Sequence, residues 1–301
     1  MMLSIGRTFD DFIQDRETSC SIKTIIKYRE DVALFFRFLK ICKLDPYHDG
    51  FDKLPEDSYK GFVVWLRSKR KRAVSIRSYC RSVKVFLRWC NVNGLCPDLT
   101  SGVKLPRDDS KVKLPLYSSE VKKIVDCFEH NRQGDRDSCI FHLMLDCGLR
   151  RQEVVNLDVE NLELDKNVII IMDSKGNKSR MVLIPDFLIC ELRYYLGSRI
   201  NYPGKVFLSL RGSEPISNNT IKMIMQRLKV KSGVDRLHAH LLRHTFATSY
   251  LIGGGNLEFL RVFLGHSDYD VTKIYSSMAA QMKMLRADIY KLDPIFFERG
   301  Y

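Results

Sequence analysis

Five short segments in the second half of the chain carry residue types suited to phosphoryl transfer. They are Gly148-Leu-Arg150-Arg-Gln-Glu153, Ser174-Lys175-Gly-Asn, His240-Leu-Leu-Arg243-His244, Leu264-Gly-His266 and Thr272-Lys-Ile-Tyr275. Guanidiniums and imidazoles can hold a phosphate, a lysine can supply a proton, and a tyrosine hydroxyl can attack. Singly, each segment is ordinary. Glycine before arginine is a common helix boundary, a lysine in a turn is usually solvated, and a tyrosine on a helix is usually half-buried core.

Taken in this order and at these separations, the segments resemble the tyrosine recombinase (phage integrase) family, and in particular its Xer-like members. The family's Arg, Lys, His-x-x-Arg, His/Trp and Tyr find matches in Arg150, Lys175, His240 with Arg243, His266 and Tyr275. The run His240-x-x-Arg243-His244-Thr-Phe-Ala-Thr, followed by Leu264-Gly-His266-Ser-Asp and Tyr275, carries most of the resemblance. It spans nearly the whole chain and is strongest from about residue 115 to 290. The N-terminal part resembles the family's core-binding (SAM-like) domain in pattern only.

The resemblance implies a chemistry that the residues support physically. A phosphodiester under attack becomes pentacoordinate, with negative charge on its non-bridging oxygens, and Arg150 and Arg243 can each grip such oxygens through paired donors. His240 and His266 would donate further hydrogen bonds to the same phosphate, with His240 also managing the tyrosine's proton. Tyr275 would attack phosphorus, forming a 3′-phosphotyrosyl link and releasing a 5′-hydroxyl, and Lys175 would protonate that leaving oxygen. A free phenol has a pKa near 10, and clustered cations would favour its ionised form. Because the protein-DNA ester stores the bond energy, no ATP, metal or other cofactor is expected. Glu153 and His244 would orient the neighbouring cations, with a structural role as the alternative for each. Arg151 reads as a surface residue.

The elements that must position these residues follow from periodicity and punctuation. The fold class expected is mainly α: an N-terminal helical bundle, then an α-rich catalytic domain with a small three-stranded antiparallel sheet. The N-terminal domain covers residues 1–96. Phe9, Phe12 and Ile13 mark a first helix, Ser21 caps a second running to about residue 39, a third starts at Pro55, and Ser75 caps a fourth reaching Asn91. Residues 97–115, with three prolines and one glycine, read as an extended linker. The catalytic domain covers 116–301, with helices over 119–128 and 138–147. Strands follow over 162–164, 168–172 and 180–184, and then helices resume, including 240–251 and 256–264 on either side of Gly253-Gly-Gly255.

Charge supplies the partner. Against 36 acids stand 49 Lys plus Arg, a net +13, which favours a polyanion. Nine Lys or Arg and no acid lie between Arg67 and Arg88. Within that stretch Arg77, Arg81, Lys84 and Arg88 fall on one helix face, with Ile76, Cys80, Val83, Leu87 and Cys90 on an adjoining apolar face. Like charges at one-turn spacing repel unless an anion relieves them, so this face is expected on DNA phosphates. Lys23 and Lys27 could add a contact, although Glu30 and Asp31 follow closely.

The chain is 45% hydrophobic and 28% charged, against wholesale disorder, and no stretch approaches an uninterrupted membrane span. With no apolar signal at the N-terminus and nine scattered cysteines, a cytoplasmic, nucleoid-associated protein with reduced core thiols is expected. Cys127-x-x-His130 and Cys139-x-x-His142 look superficially like zinc ligands, but both fall on expected helices.

The partners expected are double-stranded DNA with a specific recombination site and further protomers, as a tetramer on two sites or with a paralogous recombinase. The role would be integration or excision of a mobile element, or Xer-type dimer resolution. The rival readings are a type IB topoisomerase-like enzyme, a non-catalytic DNA-binding relative, and a basic RNA-binding or scaffold protein. Beyond the tyrosine, residues 278–297 are too apolar for a free tail. The resemblance implies a C-terminal helix that docks on a neighbouring subunit, and the alternative is a helix folded onto its own domain.

Overall fold

The computed structural model describes residues 4–107, 114–172, 179–212, 214–265, 269–284 and 287–298. It divides into two compact units, Met1–Lys111 and Val112–Tyr301.

The first unit is a helical bundle. Helix α1 (Ile5–Glu17) starts where the Ser4 side chain accepts the Arg7 N–H, and α2 (Ile22–Ile41) starts where Ser21 accepts the Thr24 N–H. Helix α3 (Ser58–Ser68) begins later than its proline suggests, because the Pro55 carbonyl first takes the Ser58 N–H and hydroxyl in a tight turn. Helix α4 (Ala73–Val92) begins earlier than expected: Arg72 is its N-cap, without a side-chain cap bond, and Ser75 lies inside the first turn. An aromatic core holds the bundle, with Phe9 packed edge-on to Phe86 at 5.2 Å and Phe35 to Phe62 at 5.2 Å. The Tyr59 hydroxyl donates to the Cys80 carbonyl at 3.0 Å, tying α3 to α4. The early part of the proline-rich stretch lies on this core: Leu99 is buried in it, and Val103 and Leu105 pack against it.

In the second unit, α5 (Ser118–Val125) leads to α6 (Arg132–Leu145). Helix α6 starts well before residue 138, because Asn131 Oδ1 accepts the N–H groups of Gln133 and Gly134 at 3.0 and 2.9 Å. After α7 (Arg151–Asn156), strands β1 (Leu162–Glu163), β2 (Val168–Met172) and β3 (Ser179–Leu183) form an antiparallel sheet in sequence order. Ile169 pairs with Val182 and Ile171 with Arg180, so Arg180 lies on the inward face of β3. The remaining helices are α8 (Asp186–Leu196), α9 (Asn218–Ser232), α10 (Ala239–Ile252), α11 (Leu257–Leu264), α12 (Tyr269–Met284) and α13 (Ile295–Glu298).

Helix α10 is the hub, packed against α6, α9, α11 and α12. Every residue from Leu241 to Ser249 is buried. The C-terminal segment lies on its own unit: Phe296 packs edge-on to Phe246 at 5.5 Å, and the Tyr290 hydroxyl donates to Asp146 at 2.7 Å. All nine cysteines are free; Cys80, Cys90, Cys96, Cys139 and Cys147 are buried, whereas Cys190, preceded by Leu188 and Ile189 but followed by Glu191, is exposed. Among the described residues no helix is long and apolar enough to cross a membrane.

Candidate active site

Two glycines with left-handed backbone set the site's frame. Gly148 has φ +64°, and a Cβ there would stand 2.6 Å from Phe246 Cδ1, so only glycine lets the chain pass α10 and deliver Arg150 as the N-cap of α7. Gly265, at φ +63°, ends α11 and leaves that helix's last carbonyls pointing at the arginines.

Glu153 gathers the cations. Its Oε1 accepts from Arg150 Nη1 at 2.8 Å; its Oε2 accepts from the Arg150 backbone N–H at 2.7 Å and from Arg180 Nη2 at 2.7 Å. Arg243 Nη1 lies 3.9 Å from the same oxygen. Burial alone would raise the Glu153 carboxyl, but the Arg180 bond and charge, the Arg150 N–H and the Arg243 charge outweigh it and hold the carboxyl below its ordinary value. Arg243 is 2% exposed and donates to the Gly148 carbonyl at 2.6 Å and the Leu264 carbonyl at 2.5 Å. Burial, reinforced by the neighbouring charge of Arg150, weakens its hold on its proton. The Arg150 side chain is 41% exposed, and its Nη2 donates to the Gly265 carbonyl at 2.8 Å.

Tyr275 faces this group from α12, 5% exposed in a cluster with Phe246, Leu260 and Leu264. Burial raises its phenol pKa above the usual 10, with Arg243 and Arg150 pulling only partly in the other direction. Arg243 and Arg150 thus favour the ionised phenol, but in the unbound chain burial outweighs them. His240 is exposed in the first turn of α10, and His244, one turn on, is buried with its ring 5.1 Å from that of Tyr275.

The structure thus brings together Arg150, Glu153, Arg243, His244 and Tyr275. Lys175 and the Ser174–Asn177 turn, like His266, lie outside the described residues. Arg151 is exposed and bonds Asn218 at 2.9 Å. His142, half of one zinc-like pair, sits with Nδ1 2.8 Å from Asp146 Oδ2, and His130 of the other is exposed.

Arg180 is the residue that sequence reasoning passed over. Its signal was present: it alternates with buried Val182 on β3, and a cation at an inward-facing strand position demands a partner.

In the first unit Arg77, Arg81 and Arg88 are exposed on α4 and Lys84 is half-buried, opposite buried Ile76, Cys80, Val83 and Leu87. Lys23 is exposed. The Lys27 ammonium is 3.0 Å from buried Asp31, which also accepts from Ser82, so part of its charge is already answered.

Known proteins resemble this chain in sequence and in fold. The model of the phage integrase family matches residues 115–282. The tyrosine recombinase XerA of Saccharolobus solfataricus is 31% identical over 223 residues, covering 74% of this chain and 69% of that protein. The tyrosine recombinase XerC of Bacillus pumilus is 28% identical, covering 94% of each. Among solved structures, the Tn1549 transposon integrase in complex with a circular intermediate DNA shares the fold with a TM-score of 0.75 at 18% identity, over 94% of this chain and 99% of that one. The family model spans more than half of the 301 residues, and the chain belongs to the phage integrase family.

Proposed function

We propose that this protein is a site-specific DNA recombinase that cuts and rejoins strands through a covalent 3′-phosphotyrosyl intermediate. The observation that carries the reading is the packing of Tyr275 in one cluster with Leu264, whose carbonyl accepts from Arg243 and whose neighbour Gly265 accepts from Arg150. Arg150 and Arg243 neutralise the non-bridging oxygens of the scissile phosphate, which lowers the barrier most when their orientation is fixed in advance. His240, at the exposed start of α10, donates to the same phosphate and manages the phenol's proton, and His266 adds a further donor. Arrival of a phosphodiester couples deprotonation of the buried phenol to its attack on phosphorus. Lys175 returns a proton to the departing 5′ oxygen, and attack by the 5′-hydroxyl of a second strand reverses the step.

The N-terminal bundle binds the duplex, with Arg77, Arg81, Lys84 and Arg88 on backbone phosphates and Lys23 and Lys27 as lesser contacts. Protomers assemble as a tetramer on two sites, alone or with a paralogous recombinase, in the cytoplasm on nucleoid DNA. The biological task is integration or excision of a mobile element, or dimer resolution.

The test is to incubate the protein with DNA carrying a nicked cognate site, recovered from DNA that the protein protects in cells. A denaturant-resistant protein-DNA adduct through Tyr275 supports the reading. Retention of specific binding without any adduct would reduce the protein to a DNA-binding relative.

A further inference from the structure

Three consecutive carbonyls at the end of α11 each receive a different guanidinium. Arg180 Nε donates to Phe263 O at 2.7 Å, Arg243 Nη2 to Leu264 O at 2.5 Å, and Arg150 Nη2 to Gly265 O at 2.8 Å. A helix C-terminus carries unsatisfied carbonyls and partial negative charge, so it is a natural seat for cations. Two of these arginines are accounted for by the phosphate. The third, Arg180, has no place among the six residues matched to the family's motif.

Its position is costly if its purpose is only structural. The side chain is 12% exposed on the inward face of β3, paired across the sheet with buried Ile171. Arg150 already supplies Glu153 with two hydrogen bonds. An apolar residue at such a place is often as stable as a buried ion pair. Arg180 shares Glu153 Oε2 with the Arg150 N–H, each at 2.7 Å, and holds that oxygen from the sheet side while Arg243 Nη1 stays at the longer distance of 3.9 Å. Its removal would leave Arg243, the cation that the incoming phosphate needs, as the nearest other guanidinium to that oxygen.

We propose that Arg180 is a positioning residue for strand cleavage, tethering Glu153 to the end of α11 so that the carboxylate orients Arg150 without capturing Arg243. The inference rests on the cleavage reading above. It places a second restraint on the guanidinium planes, and small displacements of such groups are expensive in rate.

The experiment compares first-order adduct formation at saturating DNA. Unmodified protein must form the adduct; its failure would count against the cleavage reading itself, not against Arg180. Arg180→Ala is expected to slow cleavage by about a hundredfold while DNA affinity stays within about twofold of the unmodified protein. The decisive arm adds Glu153→Gln to Arg180→Ala. A neutral amide holds Arg243 far more weakly than a carboxylate does, so the double variant should cleave about tenfold faster than Arg180→Ala alone. A merely structural role predicts the opposite sign, since removing a second partner would only loosen the fold further. Arg180→Met, which keeps the aliphatic stem, replaces the alanine variant if that variant melts below the assay temperature. Cleavage at the unmodified rate, no gain in the double variant, or unfolding of both single variants would overturn the proposal.

Discussion

The rings of His244 and Tyr275 lie 5.1 Å apart, tilted by 43°, with both side chains almost withdrawn from solvent. The contact joins α10, which carries His240 and Arg243, to α12, which carries the tyrosine, so the proposed nucleophile is registered against one of its arginines through a packed aromatic edge. Buried aromatic pairs of this kind stabilise by about 1 kcal/mol beyond their area. That suffices to favour one placement of the phenol without locking it.

Removal of the hydroxyl alone is therefore the cleanest test of Tyr275. The ring of Tyr275→Phe keeps the packing against His244, so folding and specific DNA binding should persist while the covalent adduct disappears. An adduct at normal yield, detected by denaturing electrophoresis, would remove Tyr275 from the nucleophile's role.

Lys175 is testable by leaving-group chemistry. If it protonates the departing 5′ oxygen, Lys175→Ala should slow cleavage of ordinary DNA strongly, by about a hundredfold or more. It should have much less effect on DNA whose 5′ bridging oxygen is replaced by sulfur, which departs without a proton. Equal slowing on both substrates would assign the lysine another task.

Gly148 connects fold to site. Gly148→Ala adds strain at φ +64° and a Cβ 2.6 Å from the Phe246 ring. The two effects together should destabilise by about 2 to 4 kcal/mol. Arg150 would shift with the distorted turn, so at a temperature where the variant is folded its cleavage should fall more than its DNA binding. A melting temperature equal to that of the unmodified protein would contradict the close approach.

Much of this was legible because local rules carried it. Asn256 after three glycines announces α11, and its Oδ1 accepts from Glu258 and Phe259 in the helix's first turn. The β-branched run Val168 to Ile171 announces β2, although that Ile169 and Ile171 are the ones turned inward is read only from the structure. The errors arise where tertiary contacts decide. Pro55 with two acids looks like a helix start, yet its carbonyl closes a turn before Ser58. The cations that favour the ionised tyrosine are legible in the motif, whereas the burial that outweighs them is set by residues as distant as Phe246 and Leu264. Arg180 and Glu153 are 27 positions apart, and no spacing rule links a strand residue to a helix cap over that distance.

Glu153 should also appear in the acid limb of stability. Its carboxyl is held below the ordinary 4.5 in the folded chain, so its contribution is fully present above that value and is lost as the pH falls through the folded pKa. Glu153→Gln removes this titration. The difference in unfolding free energy between the two proteins should shrink as the pH drops below about 4.5. A difference that stays constant with pH would mean that the charge of Glu153 contributes nothing to the fold.

The basic face of α4 is distinguishable from an ordinary solvated face by its salt dependence. Arg77, Arg81 and Arg88 project into solvent, with Lys84 half-buried between them. Each phosphate contact releases condensed counterions, so each contact removed should flatten the slope of log affinity against log salt by about 0.9. The quadruple alanine variant should thus lose most at low salt and approach the unmodified protein at high salt, with its bundle intact because the buried face of Ile76, Val83 and Leu87 is untouched. Lys27→Ala should change the slope less, since its ammonium already pairs with Asp31. An unchanged slope in the quadruple variant would assign DNA binding to another surface.

The C-terminal segment offers the last test, because its composition fits two destinations. In the single chain Leu292 and Phe296 cover Phe246, Leu260 and Leu264, and Tyr290 bonds Asp146. If the segment also links protomers on DNA, truncation after Ala287 should leave binding to a single site intact while cooperative binding to paired sites and strand exchange are lost. Its melting temperature should fall as well, because Phe246, Leu260 and Leu264, which share one core cluster with Tyr275, lose the cover that Leu292 and Phe296 give. Gel-shift titrations on one-site and two-site DNA, run below that melting temperature, separate the two effects. Recombination by the truncated chain at the full-length rate would show that the segment serves only its own core.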